Sequence, residues 1–145
     1  NEAQENEILL RFERSDPLET LETVVEPEEI VAMQTAVRQI RIEESVRHYI
    51  VGVCRATREH EDIELGASPR ATMALYNTCQ ALAAIRGRDF VIPDDVKTMA
   101  PHVLTHRLIV NPQTRLRGRK PADVIRDVVA TVPVPVEKSR LKIRN

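Results

Sequence analysis

Glycine is scarce and widely spaced in this chain, and this feature limits the possible folds more than any other. The 145 residues contain four glycines, Gly52, Gly66, Gly87 and Gly118. No two of them lie closer than 14 positions apart. A phosphate-binding loop or a dinucleotide-binding fold needs several glycines close together, because the backbone must approach the phosphate oxygens. The chain therefore does not carry a complete nucleotide site of either kind.

Helical periodicity runs through most of the remaining sequence. Apolar residues recur every three or four positions in several segments, and no segment of similar length alternates as a strand does. Because aromatic residues make up only 3% of the chain, the core is expected to be aliphatic. We predict an all-α fold, a bundle of about five helices with extended N- and C-terminal segments. The predicted helices are Glu28–Ile40, Glu43–His60, Ser68–Arg86, one from Pro93 that kinks or breaks at Pro101, and Pro121–Val132, with a weaker one at Glu2–Arg14.

The connections between these segments define the expected organisation. Residues 110–120 are predicted to form a loop, and residues 133–145 an extended tail. We divide the chain into a lead-in (1–26), a helical domain (27–135) and a tail (136–145). The first residue is Asn1 rather than Met, which is typical of a piece of a longer protein.

Charge is distributed unevenly along the chain. Residues 1–30 contain 10 acidic and 2 basic residues, whereas residues 101–145 contain 3 acidic and 10 basic residues. The basic end is able to contact nucleic acid or an acidic partner, although a solvated basic face is the commoner reason for such a pattern. No aromatic residues lie near it to stack on bases, and this argues against nucleic acid as a partner.

Cysteine and histidine residues give no sign of a metal or disulfide site. Cys54 and Cys79 lie singly within helical patterns, which indicates reduced core cysteines in a cytoplasmic protein. His102 and His106 would share a helix face, but no further ligands accompany them and we predict no metal site. The apolar runs are too short for a membrane-spanning helix or a signal peptide.

The most informative local segment is GASPRA, residues 66–71. Gly66 permits a tight turn, Ser68 is a suitable helix cap, and Pro69 fits the first helical position. Arg70 then lies in the first turn, where the backbone N–H groups favour anions and a guanidinium can bind phosphate through two nitrogens. On these residues alone, an ordinary helix start with a solvent-facing arginine remains the favoured interpretation. The positive side chain opposes the helix dipole, however, and such local conflicts occur at functional sites.

Several segments in the same order resemble one protein family. GASPRA is similar to the sensor 2 motif of MoxR-type AAA+ ATPases. The resemblance continues in RGRDFVIPDDV (86–96), HVLTHRL (102–108), GRKPADVI (118–125) and TVPVP (131–135), and upstream in AVR (36–38) and RATR (55–58). It covers about residues 7–135, most of the chain.

This resemblance implies that the chain is the C-terminal helical lid of such an ATPase. Arg70 would then be the sensor 2 arginine, a catalytic and nucleotide-binding residue in the full-length protein only, with Gly66, Ser68 and Pro69 positioning it. Residues 1–26 would join the lid to an upstream α/β core, whose Walker A and B motifs hold ATP and Mg²⁺. We expect the present chain alone to hold neither ATP nor Mg²⁺ and to hydrolyse no ATP. The parent would be a chaperone-like, ring-forming ATPase, often acting beside proteins with von Willebrand A domains.

The family pattern also raises expectations about individual residues. The family often has a threonine cap where this chain has Ile92 and Lys120, so two side-chain caps are predicted to be lost, at about 1 kcal/mol each. Arg86, Arg88, His106 and Arg107 match family positions and are expected to form structural pairs. Arg107 and Arg119 are candidates to face a neighbouring subunit. The alternative function is an independent helical module that binds a partner or nucleic acid through residues 101–145.

Overall fold

The computed structural model describes residues 1–13 and 16–135. It divides into two compact units, residues 1–34 and 35–145. The predicted tail, residues 136–145 with its four basic side chains, lies outside the described residues. The limits of the predicted lead-in and helical domain stay predictions.

The first unit contains helix α1 (Glu2–Phe12), a short 3₁₀ helix (Pro17–Thr20) and most of α2 (Pro27–Arg38). Asn1 caps α1, because its side chain accepts a hydrogen bond from the N–H of Gln4 at 3.0 Å. No residue of α1 or α2 is buried in the described structure. The apolar stripe predicted for α2 is thus largely exposed, with Ile30 at 43% and Met33 at 55%.

The second unit holds the hydrophobic core, which is aliphatic as predicted. Its main elements are α3 (Glu44–Glu59), β1 (Ile63–Leu65), α4 (Pro69–Ile85), α5 (Pro93–Leu104), β2 (Ile109–Val110), α6 (Pro112–Leu116) and α7 (Pro121–Thr131). Helices α3, α4, α5 and α7 pack together around fully buried side chains such as Ile50, Leu75, Leu104 and Ile125. The all-α prediction is confirmed.

Most differences from the predicted fold concern short elements. Strands β1 and β2 pair antiparallel, with Ile63 opposite Val110, and they are too short to produce a periodic pattern. The predicted loop at residues 110–120 contains α6. Its signal was a cap rather than a period, because the Asn111 side chain accepts from the N–H of Gln113 at 3.2 Å and Pro112 follows it.

The sequence predicts that the helix beginning at Pro93 kinks or breaks at Pro101. Helix α5 does not break there. It continues to Leu104, and a 3₁₀ turn follows at Thr105–Arg107. Pro101 lies only three residues before the end of the helix, so its missing N–H removes a single hydrogen bond of the last turn. The hydroxyl of Thr105 also donates to the carbonyl of Pro101.

Gly87 ends α4 as the sequence predicts. Its φ of +68° is left-handed, and the N–H of Arg88 donates to the carbonyl of Ala83 at 2.9 Å. The N–H of Gly87 donates to the carbonyl of Ala84 at 2.9 Å. These two bonds form the Schellman arrangement, which favours glycine because it has no Cβ.

Both cysteines are buried and unpaired, as predicted. Burial raises the pKa of the Cys79 thiol to about 12, and burial also raises the pKa of Cys54. Because the thiolate is the reactive form, we expect neither cysteine to react with a chromogenic disulfide reagent while the protein is folded. Both should react after denaturation, which provides the control. Rapid reaction of either thiol under native conditions would contradict this placement.

Candidate functional site

The turn that precedes α4 is the centre of the candidate site. Residues 66–68 connect β1 to α4, and Pro69 is the first residue of the helix. The hydroxyl of Ser68 accepts a long hydrogen bond of 3.4 Å from the N–H of Ala71. Ser68 therefore occupies the cap position that the sequence predicts, and Pro69 has the fixed φ that suits a first helical residue.

Gly66 lies against the last turn of α3. A Cβ at this position would stand 2.7 Å from both Cα and Cγ of Arg58, and 2.8 Å from its backbone nitrogen. Such distances are far below van der Waals contact, so only glycine lets the two backbones come this close. Gly66 is required here for close approach.

Ala67 is held on both sides of its backbone by α3. Its N–H donates to the hydroxyl of Thr57 at 2.9 Å, and its carbonyl accepts from Nε of Arg58 at 2.8 Å. The Thr57 hydroxyl itself donates to the carbonyl of Cys54 at 2.6 Å. Thr57 and Ala67 are both completely buried. We use the name Ala67 clasp for the two hydrogen bonds of the Ala67 backbone, its N–H to the Thr57 hydroxyl and its carbonyl from Nε of Arg58.

Arg70 follows on the exposed side of the first turn of α4. Neither its guanidinium nor its backbone N–H has a hydrogen-bond or ion-pair partner within the described residues. An unpaired guanidinium next to the positive end of a helix is suited to an anion with several oxygens, such as phosphate. The structure places Gly66, Ser68, Pro69 and Arg70 in one turn, with Arg70 the charged member.

A second group of charged side chains surrounds Asp95, which is completely buried. Arg88 donates to both oxygens of this carboxylate at 2.7 and 2.9 Å, and Arg86 donates to one at 2.9 Å. The N–H of Ile92 donates to it at 3.0 Å. Burial alone would raise the pKa of Asp95, but these hydrogen bonds and positive charges outweigh it and lower the pKa. Arg86 and Arg88 thus form the structural pairs that were predicted.

The hydrogen bond from the N–H of Ile92 to Asp95 modifies the prediction that two helix caps are lost. Ile92 and Lys120 make no side-chain cap to their helices. Instead, the third helical residue reaches back in each case: Asp95 accepts from the N–H of Ile92 at 3.0 Å, and Asp123 from that of Lys120 at 3.3 Å. Half of a capping box therefore remains at both helix starts.

Arg119 forms internal ion pairs. It donates to Asp62 at 2.6 Å and also to Asp127. Thr114 donates to the other oxygen of Asp62 at 2.6 Å. The hydrogen bond from Thr114 and the charge of Arg119 lower the pKa of Asp62. This cluster joins the turn between α3 and β1 to α6 and α7.

Arg107 is exposed and lies beside His106, with 2.8 Å between Nη1 and Nε2. It also donates to the carbonyl of Val103 at 3.1 Å. The expectation of a local pairing for Arg107 and His106 agrees with these contacts. That Arg107 or Arg119 faces a neighbouring subunit stays a prediction.

Sequence reasoning missed the residues that support the turn. From the sequence, Thr57 and Arg58 are recognised only as part of RATR (55–58), a segment that resembles the family. One signal was present: a threonine on an apolar helix stripe needs a hydrogen-bond partner when it is buried. The sequence likewise gives no sign of the structural roles of Asp62 and Asp95, because it does not show which acidic side chains are buried.

Within residues 1–13 and 16–135, no three His, Cys, Asp or Glu side chains are grouped so that they could hold a metal ion. None of the helices described there has the length and apolar character needed to cross a membrane.

Comparisons with known proteins show which family the chain belongs to. A family model described as the AAA lid domain matches residues 55–128. The chain is 37% identical to the uncharacterized protein YeaC of Bacillus subtilis over 96% of its own length, and 30% identical to the chaperone MoxR1 of Mycobacterium tuberculosis over 91%. It covers 43% and 37% of those two proteins. The chain thus spans about two fifths of the length of these relatives.

Relatives and a solved structure agree with this match. The protein MoxR of Methylorubrum extorquens is 35% identical over half of the chain. A crystal structure from Cytophaga hutchinsonii, provisionally described as an ATPase, superposes with a TM-score of 0.78 at 25% identity. The superposition covers 94% of this chain and 44% of that one. The chain belongs to the AAA lid domain family and is the lid region of a MoxR-type AAA+ ATPase.

Proposed function

We propose that this lid supplies Arg70 as the sensor 2 arginine of an ATP site completed by an upstream core. The observation that supports the proposal is the state of Arg70. It is exposed and unpaired in the described structure, and it lies in a helix start that is fixed from both sides by α3. A charged group presented in this way is available to a ligand outside the chain.

The chemistry expected of Arg70 is electrostatic. ATP, when bound with Mg²⁺, supplies a phosphoryl group whose oxygens carry the charge that changes during hydrolysis. The guanidinium of Arg70 would bind those oxygens through two nitrogens. The lid contributes this cation, while the Walker motifs of the core contribute the ligands for Mg²⁺, which this chain lacks.

The AAA+ context suggests an upstream core and an oligomeric ring, and we propose both for the parent protein. The exposed apolar residues Ile8, Leu9 and Phe12 of α1, each more than half exposed, support a further packing partner. A chaperone-like role, partners with von Willebrand A domains and a cytoplasmic location belong to the same proposal. The two unpaired cysteines agree with a reducing compartment.

The substitution Arg70→Ala in the full-length protein tests the function. We expect ATP turnover to fall by about tenfold or more, because a preorganised charge is lost from the transition state. The melting temperature should change little, since the guanidinium of Arg70 has no hydrogen-bond or ion-pair partner within the described residues. Steady-state hydrolysis and thermal unfolding are measured on the same preparation.

The 145-residue chain alone is the control, and it should hydrolyse no ATP. Turnover by the pure chain would contradict the proposal. If Arg70→Ala also lowers the melting temperature substantially, the loss of activity would instead make Arg70 a structural residue.

Two of the basic residues on which the nucleic-acid alternative depends form ion pairs within the described part of residues 101–145, whereas Arg115, Arg117 and Lys120 are exposed. Arg119 and Arg126 are bound to aspartates there, Arg126 to Asp123 at 2.6 Å. Tight duplex binding that weakens steeply with salt would be needed to favour it.

A further inference from the structure

We propose that Thr57 and Arg58 are positioning residues for Arg70, and that they act on ATP hydrolysis through the Ala67 clasp. This inference rests on the proposed function of Arg70. Neither residue would touch the nucleotide; both would set the place from which Arg70 reaches it.

The clasp satisfies both polar groups of one buried peptide residue. The N–H of Ala67 has the Thr57 hydroxyl at 2.9 Å, and the carbonyl has Nε of Arg58 at 2.8 Å. Two bonds from consecutive residues of α3, on opposite sides of Ala67, fix both its position and its orientation. Thr57 is itself fixed, because its hydroxyl proton is donated to the carbonyl of Cys54 at 2.6 Å.

The connection from Ala67 to Arg70 is short and stiff. Ser68 caps α4, Pro69 has a restricted φ, and Arg70 is the next residue. The carbonyl of Ser68 accepts from the N–H groups of Ala71 at 2.9 Å and Thr72 at 3.2 Å, so helical bonding begins one residue after Ala67. A displacement of Ala67 therefore moves the first turn of α4 and Arg70 with it.

The cap alone does not provide this rigidity. The bond from the N–H of Ala71 to the Ser68 hydroxyl is 3.4 Å long, at the weak end of the range. The shorter side-chain hydrogen bonds to the turn are those made by Thr57 and Arg58. The helix start is consequently held mainly from α3, a different element from the one that carries Arg70.

A double-mutant cycle in the full-length ATPase tests the proposal. Thr57→Val keeps the shape of the side chain and removes the hydroxyl, and we expect ATP turnover to fall about fivefold. In the Arg70→Ala background the same change should alter turnover by less than about twofold, because its effect passes through Arg70. Thr57→Ser restores the hydroxyl and should recover most of the turnover.

Thr78→Val is the matched control. The hydroxyl of Thr78 donates to the carbonyl of Ala74 at 2.8 Å within α4 and does not touch the turn. This variant should leave turnover within about twofold of the unmodified protein, a range expected when no functional contact is removed. If Thr57→Val does not fold, Arg58→Ala removes the other half of the clasp from an exposed side chain, and the same cycle applies.

The outcomes separate the two proposals. If Arg70→Ala leaves turnover unchanged, the proposed function fails and the positioning role fails with it. If Arg70→Ala lowers turnover but Thr57→Val and Arg58→Ala have no effect, or have the same effect with and without Arg70, only the positioning role is overturned. A turnover loss that depends on Arg70 and is rescued by serine supports it.

Discussion

Replacing Asp95 by alanine is expected to lower the free energy of unfolding of the 145-residue chain by about 3 kcal/mol. Asp95 is completely buried, and its carboxylate accepts hydrogen bonds from two guanidiniums and from the N–H of Ile92. Removing it leaves Arg86 and Arg88 without their common partner and exposes the start of α5 to fraying. Chemical denaturation monitored by circular dichroism measures the loss.

The size of this loss follows from what the arginines can do afterwards. Breaking a buried ion pair costs about 3–5 kcal/mol when the remaining charge stays buried. The side chains of Arg86 and Arg88 are 44% and 22% exposed, so both are able to turn partly toward water. We therefore expect the lower end of that range.

Asp94→Ala is the control for this prediction. Asp94 is the neighbouring residue, with a side chain that is 71% exposed and paired with Lys97. Its loss should cost less than about 1 kcal/mol, the usual value for an exposed pair and a helix-dipole contact. Equal effects of the two substitutions would show that burial of Asp95 does not determine its contribution.

The contribution of Asp95 to stability should also depend on pH in the acidic range. The pKa of Asp95 is lower in the folded chain than in the unfolded one, so its contribution is complete above the unfolded pKa of about 4 and is lost as pH falls through the folded pKa. The free energy of unfolding of Asp95→Ala should consequently change less with pH in this acidic range than that of the unmodified chain. An equal pH dependence of the two proteins would contradict the assignment.

The parts of the fold that could be predicted are those with a repeating pattern. The predicted helix Ser68–Arg86 is observed as Pro69–Ile85, because a cap, a proline and a terminal glycine mark its ends. Strand β1 and helix α6 have three and five residues, too few for a period to appear. Their positions depend on pairing with distant parts of the chain, which a local pattern does not record.

The candidate site was predicted only on its exposed side. GASPRA contains the turn, the cap and the arginine, all within six residues. Thr57 lies ten residues before Ala67, and its role depends on how α3 folds back on the turn. Asp62 and Thr114 are 52 residues apart and meet only in the folded chain. Side-chain partners of this kind require the tertiary structure.

The close approach at Gly66 leads to the second large effect. Gly66→Ala should destabilise the chain by about 2–3 kcal/mol, the upper part of the range of about 1–3 kcal/mol for overpacking. The added methyl would meet Cα and Cγ of Arg58 at 2.7 Å, and backbone atoms of a helix cannot turn aside as a flexible side chain can. Relief requires the turn to move away from α3, which stretches both bonds of the Ala67 clasp. Thermal and chemical unfolding measure the loss, and in the full-length ATPase turnover should fall as well.

Gly52→Ala, in helix α3 itself, supplies the comparison. A Cβ there would meet Cγ1 of Val132 at 3.3 Å, and that side chain can adjust. Alanine is also favoured over glycine inside a helix by about 1 kcal/mol, so this variant should be neutral or more stable. If Gly66→Ala is as well tolerated as Gly52→Ala, the turn does not depend on close contact with α3. The clasp would then be too loose to fix Arg70, whereas a selective loss at Gly66 would tie the position of the arginine to the surface of α3.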